Sequence, residues 1–209
     1  MKIERLVVGQ LQSNCYFVWD EKTKEGIVID PADDAGYILN RIRDLEIKPK
    51  LILATHGHVD HLLAVTELKL ALKIAFWMSL KDEFLVKRIK AAARYWFKIE
   101  ADPPPKIDKD LKEGDLIKFG QEKLKVMETP GHSPGGLSFY DQSVVFDGDT
   151  LFNQGIGRYD FSYAKKEDLF NSIAKLLELP DETLVYPGHG SETTIGEERK
   201  FFRVTSPLF

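Results

Sequence analysis

Short runs of β-branched and aromatic residues at 3–8, 16–19 and 26–30 open the chain. Polar, turn-prone stretches such as Asp20-Glu21-Lys22-Thr23-Lys24 separate them, and the pattern predicts an antiparallel meander. The period changes over 35–46, where Ile38, Ile42 and Leu45 recur at the spacing of a one-sided helix, and the apolar strand 51–54 follows. Helical spacing returns over 61–72 and strand character at 73–78. Leu85, Ile89, Ala92 and Trp96 then form one apolar stripe along a helix over 79–99, closed by Pro103-Pro104-Pro105. That stripe is expected to pack inward, under lysines that face water. Strands at 116–119, 123–128, 137–140 and 144–146 alternate with Gly and Asp turns, and a helix over 165–178 leads into a strand at 184–186. Two strand-rich halves with helices between them predict an α/β fold, an αββα sandwich of two mixed sheets with helices on the outer faces. A chain of 209 residues is read as one domain over 1–209.

Composition narrows the setting. Cys15 is the single cysteine, so neither a disulfide framework nor a thiolate metal cage is available; beside Tyr16 and Phe17 it reads as a buried, inert thiol. The opening apolar stretch is interrupted by Glu4 and Arg5, and no apolar run approaches the ~18 residues of a membrane span. A soluble, cytoplasmic protein without a membrane partner is expected. The net charge of −4 argues against a broad grip on nucleic acid. The basic and aromatic residues over 79–99 are accordingly read as a solvated helix face. The expected partner is a small molecule, and the oligomeric state stays open.

The histidines carry the chemistry. All five lie in three segments, Thr55-His56-Gly57-His58-Val59-Asp60-His61, Pro130-Gly131-His132 and Pro187-Gly188-His189. Four apolar strands run out into loops bearing His56, His132, Asp149 and His189, which gathers them at one rim of the sandwich. Taken alone, Asp60 would be the N-cap of a helix starting near His61, and Asp30 a turn former ahead of Pro31. Taken together, the residues point to a metal centre of nitrogen and oxygen donors, suited to zinc first and also to iron(II) or manganese. There is no Gly-x-Ser-x-Gly elbow and no cysteine beside a histidine, so a protein nucleophile finds no support.

The spacing His-x-His-x-Asp-His, followed by His132, Asp149 and His189, resembles the metallo-β-lactamase superfamily over nearly the whole chain. The resemblance implies that fold and two divalent ions. It implies one ion on His56, His58 and His132, a second on Asp60, His61 and His189, and Asp149 bridging. It also implies Asp30 behind the ligands, orienting their loops by hydrogen bonds. The expected chemistry is attack by a bridging hydroxide that Asp60 helps to orient.

Gly148-Asp149-Thr150-Leu151-Phe152, Gly155-Ile156-Gly157-Arg158-Tyr159-Asp160, Tyr186-Pro187-Gly188-His189-Gly190 and Asn14-Cys15-Tyr16 look like the glyoxalase II branch, in a compact form without its C-terminal helical domain. That similarity implies hydrolysis of a thioester such as S-D-lactoylglutathione. A thiolate, with a parent pKa of about 8.5, departs without an added acid. The alternatives are a persulfide dioxygenase using one iron on His56, His132 and Asp149, and, further off, a metal-dependent nuclease or esterase. Arg158, Tyr159, Tyr95 and Trp96 are the candidate substrate contacts. Arg158 and Asp160 read first as an ion pair fixing their loop. The helix over 79–99 and the triproline loop are expected to overhang the site.

Overall fold

A computed structural model describes residues 1–205. The domain expected over 1–209 therefore includes four residues, 206–209, that lie outside the described residues. The opening meander forms as expected: β1 (Lys2–Val8), β2 (Ser13–Trp19) and β3 (Glu25–Ile29) pair antiparallel. Helix α1 (Ala35–Asp44) leads into β4 (Lys48–Leu53), and α2 (Val65–Leu72) into β5 (Ala75–Met78). Two short helices, α3 (Glu83–Val86) and α4 (Ile89–Trp96), precede β6 (Lys109–Asp110). The second half runs through β7 (Leu116–Phe119), β8 (Glu122–Glu128), β9 (Leu137–Tyr140), β10 (Val144–Gly148), β11 (Leu151–Phe152) and β12 (Gly155–Ile156). It closes with α5 (Lys166–Leu176), β13 (Leu184–Pro187), β14 (Thr193–Thr194) and α6 (Ile195–Thr205).

Among the described residues these strands form two six-stranded mixed sheets, ordered β1-β2-β3-β4-β5-β6 and β14-β13-β10-β9-β8-β7, and β11 and β12 form a small ribbon. Period-2 alternation divides each strand between layers. In β2, Tyr16 and Val18 enter the core between the sheets, where they meet Phe139 and Phe146, while Cys15, Phe17 and Trp19 face α1 and α2. In β10, Val144 and Phe146 face inward and Val145 packs under α5 and α6 with Leu169, Ile173 and Phe202. The αββα sandwich thus has three apolar layers. Each fully buried Phe in them contributes about 1.5–3 kcal/mol of burial. Cys15 is buried, as expected, and burial pushes its thiol up.

Three expectations change. The helix over 61–72 starts later: Val59–His61 form one tight 3-10 turn, and α2 begins at Val65. Asp60 lies inside that turn, with His58 at its cap position, so Asp60 caps no helix. The helix over 79–99 is broken into a 3-10 turn at Leu80–Asp82, then α3 and α4 with Lys87 and Arg88 between them. Its i, i+4 spacing survives the breaks, so periodicity alone does not reveal them. Finally, α6 was not anticipated. Its signal is a capping box, in which the Thr194 hydroxyl accepts from the Glu197 N–H at 3.2 Å. Among the described residues no helix is long and apolar enough to cross a membrane.

Candidate metal centre

The strand ends set the site. Asp30 follows β3 with φ 50°, and its carboxylate turns toward the loop leaving β4. It accepts from Thr55 N–H at 2.7 Å, from the Thr55 hydroxyl at 2.6 Å and from Nδ1 of His61 at 3.1 Å. This bonding resolves which ring nitrogens carry hydrogen. The single Thr55 hydroxyl hydrogen goes to Asp30, so Nδ1 of His56, 3.0 Å from that oxygen, donates to it. His61 donates through Nδ1 to Asp30, His132 through Nδ1 to the Arg158 carbonyl at 2.8 Å, and His189 through Nδ1 to the Leu11 carbonyl at 3.1 Å. All four rings therefore turn Nε2 to the opposite side, toward the cluster, where an ion would replace any proton it carries. His58 is turned the other way, with Nε2 2.7 Å from the Tyr163 hydroxyl and Nδ1 2.9 Å from Nε2 of His132.

The candidate ligand atoms converge in two groups, His56, His58, His132 and Asp60, His61, His189, those of each group within 4.8 Å of one another. Nε2 of His189 lies 3.2 Å and Nε2 of His61 3.6 Å from Oδ2 of Asp60. Asp149 sits between the groups. Its Oδ1 is 3.5 Å from Nε2 of His61, and its Oδ2 is 3.5 Å from Nε2 of His132 and 3.8 Å from Nε2 of His189. Donors about 2.1 Å from a tetrahedral ion stand about 3.4 Å apart, so these spacings suit a zinc-sized cation.

A second observation supports the fit. Nε2 of His56, Nε2 of His61 and Oδ1 of Asp149 are buried without a hydrogen-bond partner, a costly arrangement unless a cation satisfies them. A further close group, Asp30, His56 and His61, offers no comparable set, because Asp30 is already occupied by Thr55 and His61.

The electrostatics agree. Burial, reinforced by the neighbouring imidazoles, pushes His56 well down and His58 down to about 3, which keeps both in the neutral, ligand form. Burial works against ionisation of Asp60, yet His61 and His189 hold its carboxyl well below the usual range. Burial also opposes charge on His61, but Asp60, Asp149 and Asp30 outweigh it and push His61 up to about 10. A spot where three carboxylates demand positive charge is one that a divalent ion can occupy.

A cavity of about 510 Å³ opens beside the cluster, reaching Asp60, Asp149, His58, His132 and His189. Its lining includes Leu85, Ala92, Trp96 and Phe97, so three of the four stripe residues face the cavity, while the fourth, Ile89, packs inward as expected with Val86 and Ala93. Trp96 lines the cavity; Tyr95, 67% exposed, does not, and its ring stands edge-on to Trp96. Tyr159 is outside as well, set against Phe170 and Lys166. Arg158 lines the cavity with its guanidinium over the Phe161 ring and pairs with both oxygens of Asp160 at 2.8 and 2.9 Å. The triproline loop walls a separate groove beside α2, where the Pro103 carbonyl accepts from Thr66, so it does not overhang the site.

Three residues near the centre escape sequence reasoning: Arg88 and Tyr163, which line the cavity, and Asp82, which lies behind it. The partners of Tyr163 and Asp82 are remote in sequence, 105 residues in the case of Tyr163 and His58, so no local spacing marks them.

The comparisons with known proteins match this geometry. The profile described as Metallo-beta-lactamase superfamily covers residues 8–189. The chain is 37% identical over 211 residues to "Hydroxyacylglutathione hydrolase GloC" of Haemophilus influenzae, covering 96% of each chain. Among solved structures it is similar to the BLEG-1 B3 metallo-beta-lactamase, with TM-score 0.88, 32% identity and 95% and 97% of the two chains covered. It is also similar to TTHA1623 in a di-iron-bound form, with TM-score 0.87, 37% identity and 99% and 100% covered. A profile spanning most of the chain, relatives aligned end to end, and histidine-bearing loops on one sandwich rim make this chain a member of the metallo-β-lactamase superfamily.

Proposed function

We propose that the protein is a hydrolase of small thioesters that works with two divalent ions, one on His56, His58 and His132 and one on Asp60, His61 and His189, with Asp149 between them. The carrying observation is the cavity lining. Among the described residues it holds no serine or cysteine, and its ionisable groups are the candidate ligands, Tyr163 and two arginines. When bound, the ions acidify water to supply the nucleophile and polarise the substrate carbonyl.

The chain's own residues do the rest. Asp60, at the cavity floor, accepts a hydrogen bond from the attacking water and so directs its lone pair. The apolar wall of Leu85, Ala92 and Trp96 receives the carbon chain and excludes bulk water. No side chain is free to act as a strong acid toward the leaving group, which suits a thiolate better than an amine. The name of the Haemophilus relative supports the thioester reading, and the di-iron form of TTHA1623 supports a two-ion centre whose metal can be iron as well as zinc.

Arg88 adds a substrate feature. It lines the cavity at the start of α4, and among the described residues its guanidinium has no hydrogen bond or ion pair, whereas Arg158 is engaged by Asp160. An acyl or thiol part ending in a carboxylate fits that free charge.

The deciding experiment is steady-state hydrolysis of S-D-lactoylglutathione by protein of measured zinc and iron content, beside His56→Ala. Turnover that follows metal content and vanishes in the variant is expected. Metal-replete protein that leaves this thioester intact would refute the reading, and oxygen uptake with glutathione persulfide would then identify the dioxygenase.

A further inference from the structure

Asp82 ends the 3-10 turn ahead of α3 and is 0% exposed, and nothing in the proposed chemistry uses it. Its carboxylate accepts three hydrogen bonds from two distant loops. Oδ2 takes Gly57 N–H at 2.9 Å and the Ser133 hydroxyl at 2.6 Å; Oδ1 takes Gly135 N–H at 2.6 Å. Gly57 separates His56 from His58, and Ser133 follows His132 directly. One buried carboxylate therefore holds the residue between His56 and His58 by its backbone and the residue after His132 by its side chain. The grip is close on both sides. A Cβ on Gly57 would stand 2.8 Å from Cβ of Asp82, and one on Gly135 would stand 2.7 Å from Cγ of Asp82.

Burying a carboxylate without a cationic partner is costly, and an apolar side chain would fill the same volume at lower cost. The three donors offset that cost only while both loops hold this arrangement, so the bonds favour one spacing of the loops over others. The same element continues into the cavity wall. Leu85 lies one turn beyond Asp82 and Arg88 follows at the start of α4, and both line the cavity.

We propose that Asp82 is a positioning residue that sets the spacing of His56, His58 and His132 and ties the first metal site to the helical wall of the substrate cavity. It acts through Gly57, Ser133 and Gly135 and touches neither ion nor substrate. The inference rests on the two-site metal reading above and is independent of the thioester assignment.

The test is metal binding by stripped protein, with cobalt(II) and zinc titrated against a competing chelator in wild type, Asp82→Ala, Asp82→Asn and Ser133→Ala. Wild type is expected to take up two ions. In Asp82→Ala one of the two should weaken by about 10–100-fold, with loss of the matching cobalt absorption band, while the other keeps its affinity. Asp82→Asn keeps two of the three bonds when its amide nitrogen turns toward Gly135, and should restore part of the loss; Ser133→Ala should show a smaller, equally selective effect. If Asp82→Ala does not fold, the asparagine and Ser133 variants carry the same comparison. Equal weakening of both ions, or none in a folded variant, overturns the role of Asp82 and leaves the metal reading standing. Wild-type protein that takes up no ion overturns both.

Discussion

The hydroxyl of Tyr163 stands 2.7 Å from Nε2 of His58, and this contact turns His58 opposite to the other four histidines, so that Nδ1 faces the cluster. A phenol both donates and accepts, so it can hold either tautomer of the ring. Burial, with Asp82 nearby, pushes Tyr163 up to about 12, which keeps the hydroxyl protonated at neutral pH. Replacing Tyr163 with Phe frees the ring while keeping its packing. Affinity for the ion on the His58 group should fall about tenfold, read by chelator competition, with the melting point of the metal-free protein nearly unchanged. Unaltered metal affinity would show that packing alone orients His58.

Metal removal should be felt in stability. His61 is enclosed with Asp60, Asp149 and Asp30, and Nε2 of His56 and of His61 are buried without a hydrogen-bond partner. An ion present at about 100 times its Kd adds ~2.7 kcal/mol to the folded state, or roughly 5–10 °C in Tm for a chain of this length. Calorimetry before and after chelation, and again after zinc is returned, measures the difference. Identical melting curves would mean that no ion binds the folded state preferentially.

Arg88 should read substrate charge. Arg88→Met is expected to raise KM about fivefold to tenfold for a thioester whose thiol bears a carboxylate, and to leave KM for a neutral thiol ester unchanged, the equivalent of ~1–1.4 kcal/mol for one partly exposed ion pair. Equal effects on both substrates would reduce Arg88 to a wall residue.

Trp96 and Tyr95 are neighbours with opposite exposures to the cavity. Trp96→Ala should raise KM by about fivefold to tenfold through lost aromatic contact, whereas Tyr95→Ala should leave kcat and KM as they are. Steady-state kinetics on the two variants checks this, and a larger effect at Tyr95 would contradict the placement of the cavity wall.

Much of the architecture was legible because it is local. The alternation of Tyr16, Phe17 and Val18 between two apolar layers, and the runs 51–54 and 144–146 ending in polar loops, follow from the backbone period of a strand. Where a local rule has two solutions the reading went astray. The stripe Leu85, Ile89, Ala92 and Trp96 is apolar at helical spacing whether it meets a core or lines a cavity, and the structure places Ile89 in the core and the other three on the cavity. The breaks at Asp82 and at Arg88 are invisible to periodicity, because the first depends on hydrogen bonds to loops 25, 51 and 53 residues away.

By itself, the order of residues determined the layered sandwich, the strand ends that carry histidines and carboxylates, and the absence of a serine or cysteine nucleophile motif, since these rest on steric period, burial and residue type. Only the tertiary structure decided which nitrogen of each imidazole faces inward, and that Asp82, Arg88 and Tyr163 belong beside the two groups. The physical reason is range. A side chain's direction is set by the hydrogen-bond partners and packed neighbours that the completed fold brings to it, and here those partners come from the far ends of other strands.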